Sequence, residues 1–132
     1  MTGGKFSRDK GARGEQGVVQ LFRAAGFDAK RGVGQSQSGR NTPDVIVEKL
    51  PWLWVESKLG KKPNIRSAFE QAKTACREGN IPIAVTRDDR KVALVSMEIP
   101  AFLFFLRKAF PDGLAQTDLP ILIKAEITDG EV

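Results

Sequence analysis

Two short apolar runs in the first half of the chain predict a pair of β-strands joined by a hairpin. The first run covers residues 45–47 and the second covers residues 52–55, with a proline in the break between them. If residues 49–51 form the loop, Asp44 lies opposite Glu56 at the open end of the hairpin. The pattern therefore predicts that two carboxylates from different strands meet at one end of this hairpin.

The other apolar patterns predict a fold that mixes helices and strands. Further strands are predicted over 27–31, 81–86 and 92–96, and helices over 11–25, over 65–78 and from Pro100 onward. The first three strands should form an antiparallel meander, after which a helix crosses over to a parallel fourth strand and a fifth strand returns. The predicted class is α/β, with a mixed five-stranded sheet flanked by helices.

A third acidic residue lies on the apolar side of the first predicted helix. Glu15 precedes Val18 by three residues and Val19 by four, so it shares their inward-facing side. A carboxylate in the first turns of a helix can interact with the helix dipole or can reach a functional site. Because Asp44 and Glu56 are predicted in the same small domain, and buried carboxylates need partners, we favour the site.

Three segments are predicted to lack regular packing or to lie at the edge of the domain. Residues 1–9 are rich in Gly, Lys and Ser and are predicted to be flexible. Residues 32–43 form a long loop with small polar residues, whose Ser36, Ser38 and Arg40 suit phosphate oxygens. Residues 112–132 alternate apolar and polar positions toward the end and are interpreted as an edge strand or a dimer arm.

The length and composition of the chain indicate one domain and exclude several kinds of functional site. A chain of 132 residues fits a single domain, here 1–132, and can bury a core without disulfides. The chain has one cysteine and no histidine, which excludes an internal disulfide, His-Cys zinc sites and catalysis by a Ser-His pair. No segment resembles a signal peptide or a membrane span, so we expect a soluble, cytoplasmic protein with no membrane partner.

The charge is positive and unevenly distributed. The net charge is +5, and residues 30–66 carry eight Lys or Arg against three acids, two of which are Asp44 and Glu56. Residues 112–132 carry one Lys against five acids. A basic region around a carboxylate pair indicates a polyanion held beside a metal site, whereas charge that serves only solubility would be spread evenly.

The opposed carboxylates suit a hard cation. Mg²⁺ commonly binds one or two carboxylates and leaves its other positions for water and phosphate. Lys58 follows Glu56 by two residues, so both side chains share one face of the strand, and its ammonium can orient a water molecule or offset charge on a phosphate. The alternative from the hairpin alone is an exposed strand with a surface Glu–Lys pair.

The order Pro43-Asp44 and then Glu56-Ser57-Lys58 resembles the signature of the PD-(D/E)XK nucleases. Its surroundings are similar to those of the archaeal-type Holliday junction resolvases over roughly residues 10–98. The further matching positions are Lys10-Gly11-Ala12, Glu15, Gly26-Phe27, Lys61-Lys62 and Asn80-Ile81-Pro82. The resemblance implies a restriction-endonuclease-like fold and a Mg²⁺-dependent endonuclease, in which Mn²⁺ substitutes, that nicks opposed strands of four-way junctions in DNA recombination and repair.

The resemblance also implies roles for individual residues. The catalytic set would be Glu15, Asp44, Glu56 and Lys58, and the metal ligands would be Asp44, Glu56, the Ser57 carbonyl and Glu15, directly or through water. The family's loop serine near the cut phosphate would be Ser36 or Ser38, and Gln71 would be an accessory residue or a plain surface glutamine. Charge and position add further DNA contacts; the complete set is Lys10, Arg13, Arg31, Ser36, Ser38, Arg40, Lys61, Lys62 and Arg66.

The sequence also bears on assembly and on two alternative functions. A four-way junction needs two nicks, so we expect a homodimer formed by the apolar helix between Phe102 and Phe110 together with the C-terminal strand. Another nuclease of the same superfamily, acting on flaps, ends or mismatches, would carry the same motif. A junction-binding protein without activity would carry the same positive charge.

Overall fold

The computed structural model describes residues 2–32 and 42–112, with side chains described from residue 10 onward. The helices are α1 (Thr2–Ala24), α2 (Ile65–Ala75) and α3 (Ile99–Ala109), and the strands are β1 (Ala29–Arg31), β2 (Val45–Val47), β3 (Leu53–Gly60), β4 (Ile81–Asp88) and β5 (Leu94–Ser96). The chain divides after Met97 into two compact units. The first unit contains the sheet with α1 and α2, and the second contains α3.

The five described strands form one mixed sheet in the order β1-β2-β3-β4-β5. The pairs β1–β2, β2–β3 and β4–β5 are antiparallel, and β3 pairs with β4 in parallel across the α2 connection. The predicted α/β class, the mixed five-stranded sheet and its strand order are therefore confirmed. The sheet edges are β1 and β5, and the hairpin lies toward its centre.

The hairpin has the register that its sequence predicts. Val45 pairs with Val55, which places Asp44 opposite Glu56. The turn is longer than predicted, because β2 ends at Val47 and β3 begins at Leu53. Val45 and Val55 are fully buried, and a slip of one residue would turn such side chains to the opposite face. Burial of these valines therefore fixes the position of both carboxylates.

Helix α1 begins at Thr2, nine residues before the predicted start at Gly11. No proline interrupts this stretch, and Lys5, Arg8 and Lys10 favour helix although the two glycines do not. Flexibility of residues 1–9 stays a prediction. Val18 and Val19 are buried. Gly14 allows close packing of α1 on β3, since a Cβ atom there would lie 2.8 Å from the Leu59 Cβ.

The predicted stop of α1 at Gly26 is confirmed. Gly26 has a φ of +96°, a left-handed conformation that favours glycine. The Phe27 N–H donates to the Phe22 carbonyl oxygen at 3.0 Å, and the two rings make an edge contact with their centroids 6.5 Å apart. This cap directs the chain from α1 into β1, where Arg31 faces the end of the hairpin.

Helix α2 begins where the sequence predicts and ends three residues early. The Asn64 side chain accepts a hydrogen bond from the Ser67 N–H at 2.9 Å, as expected for an N-cap. Ala68, Phe69 and Ala72 form a buried cluster with Ala84 of β4. Glu56 of β3 pairs with Ala84, so its side chain points to the same face of the sheet, on which α2 packs.

The run of apolar residues predicts that helix α3 is buried on more than one side, partly by a second subunit, and the single chain does not show this burial. None of its residues is buried, and Ile99, Phe102 and Leu103 are between 45% and 69% exposed. The C-terminal segment predicted as an edge strand or dimer arm lies outside the described residues from position 113 on. Among the described helices, none combines the length and apolar character needed to cross a bilayer.

Candidate metal centre

Asp44 and Glu56 meet at the open end of the β2–β3 hairpin, and separate donors hold them there. Asp44 Oδ2 accepts a hydrogen bond from the Ser57 N–H at 2.9 Å. Glu56 Oε1 accepts one from the indole N–H of Trp54 at 2.8 Å, and the Trp54 side chain is itself buried. Because a backbone amide and a buried ring fix the two carboxylates, their orientation does not depend on a ligand.

Glu15 brings a third carboxylate from α1 to the same place. Its Oε2 accepts from Arg31 Nε at 2.9 Å and lies 2.8 Å from a terminal guanidinium nitrogen of the same arginine. Partial burial raises the pKa of Glu15, as do the charge of Asp44 and a hydrogen-bonding contact with it, while Arg31 acts in the opposite direction. The predicted inward position of Glu15 is confirmed, and Arg31 holds it.

Glu56 is the most perturbed acid of the site. Burial, followed by the hydrogen-bonding contact with Asp44 and the charge of that residue, raises the pKa of Glu56 to about 8, although the Trp54 hydrogen bond opposes the shift. A carboxyl group with this pKa retains a proton at neutral pH, because two close carboxylates are costly when both are ionised. A divalent cation between Asp44 and Glu56 would replace that proton and remove the repulsion.

The donor set suits a hard cation held by two carboxylates rather than by a larger cluster. Among the described side chains, which belong to residues 10–32 and 42–112, no three or more His, Cys, Asp or Glu are arranged to hold a metal ion. Asp44 nevertheless lies close enough to Glu56 to help raise the pKa of Glu56, while Arg31 occupies Glu15. Two carboxylates with open positions are the arrangement that Mg²⁺ commonly uses, so the residues present fit the ion.

Lys58 leaves β3 on the same face as Glu56, as the spacing predicts. It is exposed, and its partner across the parallel pairing is Thr86 of β4. The ammonium group therefore belongs to the hairpin end that carries the carboxylates and is open to a ligand from solvent. The accessory candidate Gln71 is exposed on α2, in a shallow depression that Ser67 and Thr74 also line.

The predicted DNA-binding residues fall into three groups in the structure. Lys10 Nζ lies 3.9 Å from the position of a Cβ at Gly60, near the end of β3, and Lys61 and Lys62 follow on the exposed β3–α2 connection. Arg66 is exposed and pairs with Glu70 at 3.1 Å, and Arg31 is engaged with Glu15. The loop candidates Ser36, Ser38 and Arg40 lie outside the described residues.

Sequence reasoning missed a group of cations beside the site. Arg13, which was predicted to bind DNA, lines a cavity of about 440 Å³ together with Arg87, Arg90 and Lys91. The strands predicted over 81–86 and 92–96 leave residues 87–91 as a charged turn between them, and the sequence alone assigns that turn no role. The predicted pairing of β3 with β4 is the signal that could have found them, because it carries the end of β4 alongside the residues that follow Glu56.

The raised pKa of Glu56 predicts how the metal-free protein responds to pH. An acid whose pKa is higher in the folded protein than in the unfolded chain contributes stability below its unfolded pKa, and this contribution is lost as the pH rises through the folded value. The melting temperature should therefore fall between about pH 5 and pH 9. Glu56→Gln should remove most of this slope and stabilise the metal-free protein at pH 9 by about 2 kcal/mol, after screening at a half-buried position is included.

Thermal unfolding in EDTA across this pH range measures the effect. Glu48→Gln is the matched control, because Glu48 lies at the turn end of the same hairpin and pairs with Lys30 at 3.3 Å. The control should keep the wild-type slope. Equal slopes for wild type and Glu56→Gln would contradict the close carboxylate pair.

Comparison with known proteins adds no relative. No family model matches the chain, and no curated protein matches it.

Proposed function

We propose that this protein is a Mg²⁺-dependent, structure-specific DNA endonuclease that nicks opposed strands of four-way junctions, built on a restriction-endonuclease-like fold. One observation carries the proposal: two fixed carboxylates from adjacent strands meet at the hairpin end, where burial and the contact with Asp44 raise the pKa of Glu56 to about 8, with Lys58 two residues further along β3. The resemblance of residues 43–44 and 56–58 to the PD-(D/E)XK signature supports the same reaction.

Each residue of the site has a part in the proposed hydrolysis. Asp44 and Glu56 would hold the metal, with the Ser57 carbonyl as a further ligand and Glu15 acting through water, since Arg31 occupies a Glu15 oxygen. When bound, the ion supplies Lewis-acid stabilisation of the phosphate and lowers the pKa of a bound water. Lys58 would orient the attacking water and offset the charge that develops on the phosphate. Water attacks phosphorus in line with the departing oxygen, and one phosphodiester bond is broken.

The chain offers no histidine and no reactive cysteine for this reaction. The chain contains no histidine, and its single cysteine, Cys76, has a pKa raised by burial and by the charge of Glu56. A raised pKa keeps the thiol neutral and unreactive. Carboxylates, a lysine and a hard cation are therefore the groups with which this site can act on a phosphodiester.

Two other functions share part of this support. A nuclease that acts on flaps, ends or mismatches would use the same site, and a junction-binding protein without activity would use only the positive charge. The fixed donors on Asp44 and Glu56 favour an active site over a binding surface, because a DNA-binding protein gains nothing from two opposed carboxylates beside the phosphates. Paired nicks further require two sites, which a twofold dimer would supply, and the exposed apolar residues of α3 suit such an interface.

Cleavage of four labelled substrates tests the proposal. We expect the purified protein with Mg²⁺ to nick two opposed strands of a four-way junction, each strand being labelled in turn, and to leave linear duplex and single strands intact. Asp44→Asn, purified in the same way, controls for a contaminating nuclease. Equal cleavage of a flap or of duplex ends would favour the other nucleases, and binding without any cleavage would favour the junction-binding protein.

A further inference from the structure

A positively charged cleft lies beside the carboxylate site. We call it the basic cleft and define it by Arg13 of α1 and by Arg87, Arg90 and Lys91 at the β4–β5 turn, which line the cavity of about 440 Å³. Lys58 also borders it. Among the described residues that line this cavity, none is acidic. Lys91 pairs with Asp88 at 3.6 Å, but Asp88 lies outside the lining of the cavity. Four cations around one opening, with no acid among its described lining residues, indicate a site for a polyanion.

Asp88 fixes the turn that carries three of these cations. Its Oδ1 accepts hydrogen bonds from the Asp89 N–H at 2.8 Å and from the Lys62 N–H at 2.9 Å. The Lys62 bond is the chief reason that the pKa of Asp88 is lowered, which keeps it ionised. The turn closes through the Lys91 N–H, which donates to the Asp88 carbonyl oxygen at 3.0 Å. The turn is thus ordered internally and joined to the chain that follows β3.

Arg90 is held in an unfavourable backbone conformation within this turn. Its φ is +63°, in the left-handed region that glycine and asparagine adopt most readily. An arginine there costs on the order of 1 kcal/mol relative to glycine. Arg87 Nε also donates to the Lys91 carbonyl oxygen at 3.0 Å, which gives the turn a second internal tie. A rigid turn that keeps an arginine where glycine would be more stable points to a use for the side chain.

The floor of the cleft stays open because α1 has glycines on this side. A Cβ atom at Gly17 would meet nothing within 4 Å, although the residue lines the cavity. Val18 and Val85 supply apolar floor, and both are largely buried. A cleft with an apolar floor and a cationic rim matches a sugar–phosphate backbone, which presents deoxyribose and phosphate side by side.

We propose that the basic cleft binds the DNA backbone next to the phosphate that is cut, on the arm of the junction that passes the β4–β5 turn. The proposal rests on the proposed function, because it takes DNA as the substrate of the neighbouring site. The cleft is lined by Ser57, Lys58 and Leu59, which directly follow Glu56 on β3, so it adjoins the carboxylate site along that strand. Side chains alternate along a strand, so Ser57 and Leu59 face α1 while Lys58 shares the face of Glu56. A DNA strand carries a charge every 3.4 Å or so along its axis, so neighbouring phosphates fall within reach of the cleft.

Affinity measurements in EDTA test the cleft without cleavage. Arg90→Gly and Lys91→Ala should each weaken binding of a labelled four-way junction about 5- to 30-fold, and each should reduce the salt slope of log Kd by about one. Lys49→Ala is the matched control, since Lys49 lies in the β2–β3 turn at the other end of the hairpin. Arg90→Gly should also keep or raise the melting temperature, so a loss of affinity cannot be a loss of fold.

A second variant inserts an opposing charge and removes no cation. Gly17→Glu should place a carboxylate in the open floor and weaken binding about tenfold or more, whereas Gln16→Glu, on an exposed side of α1 that does not line the cavity, should change it little. Affinities of the cleft variants within twofold of Lys49→Ala would overturn the proposal. A second result would also overturn it. If millimolar AMP raised the melting temperature of wild type but not of Arg90→Gly, and the two proteins bound DNA equally well, the cleft would hold a free nucleotide.

The two proposals fail in different ways. Cleft-dependent DNA binding by a wild-type protein that cuts none of the substrates in Mg²⁺ would remove the proposed nuclease and leave the cleft as a DNA site. If the wild-type protein cleaved the junction in Mg²⁺ and the cleft variants bound DNA as tightly as wild type, the proposed nuclease would stand and the cleft would not be a DNA site.

Discussion

Replacing Asp44 with Asn, or Glu56 with Gln, is expected to lower the rate of junction cleavage by on the order of 10³-fold or more. Each change removes one of the two charges that would hold the ion, while the amide keeps the size of the side chain. Lys58→Ala should also lose orders of magnitude, because the developing charge on the phosphate loses its cation. Single-turnover cleavage with enzyme in excess over a labelled junction measures these rates.

Asp44→Asn and Glu56→Gln should bind DNA at least as well as wild type. In EDTA at pH 7, Asp44→Asn removes a negative charge beside a phosphate and should raise affinity slightly. Glu56→Gln replaces a carboxyl group that already holds a proton, so its affinity should equal that of wild type. Glu48→Gln serves as the control, because it changes the same chemical group at the turn end of the hairpin. Wild-type cleavage rates from either Asp44→Asn or Glu56→Gln would remove the carboxylate pair from the reaction.

Metal removal is the second large effect. We expect cleavage in EDTA to fall by on the order of 10³-fold or more, and Mg²⁺, or Mn²⁺ in its place, to restore it. Asp44 and Glu56 form the proposed binding position for the ion. When the ion is removed, Lys58 is the only cation on β3 left to offset charge on the phosphate. Single-turnover rates over a Mg²⁺ titration, starting from protein dialysed against EDTA, give the dependence.

The fold should survive this treatment, which separates a catalytic ion from a structural one. Without metal, Glu56 retains its proton up to about pH 8, so the carboxylate pair is not forced apart at neutral pH. Circular dichroism in EDTA at pH 7 should match that with Mg²⁺. Undiminished cleavage in EDTA would show that the reaction needs no divalent ion.

The position of the hairpin carboxylates could be predicted from sequence because local rules fix it. Two apolar runs with a short break determine a hairpin, and the alternation of side chains then determines which residues oppose each other. Burial of Val45 and Val55 holds the register that puts Asp44 opposite Glu56. The cap at Gly26 was predictable for a similar reason, since only a few neighbouring residues decide it.

Other features depend on contacts between distant parts of the chain, and no local pattern contains them. The Arg31–Glu15 pair joins β1 to α1, and the basic cleft joins Arg13 to a turn more than seventy residues later in the sequence. The Trp54 N–H bond to Glu56 depends on a rotamer that burial selects. Helix α3 shows a different limit of prediction. Its sequence indicates an apolar helix but does not identify the surface against which the helix packs.

Mn²⁺ binding tests most directly whether Asp44 and Glu56 hold a divalent ion. Lys58→Ala provides a background in which the DNA stays intact, and Lys58→Ala combined with Glu56→Gln is its matched partner. With each protein on the same four-way junction, electron paramagnetic resonance counts the free Mn²⁺ at equilibrium. We predict that Lys58→Ala takes up about one more Mn²⁺ per protomer than the double variant. Equal uptake by the two proteins would contradict a metal centre at this hairpin.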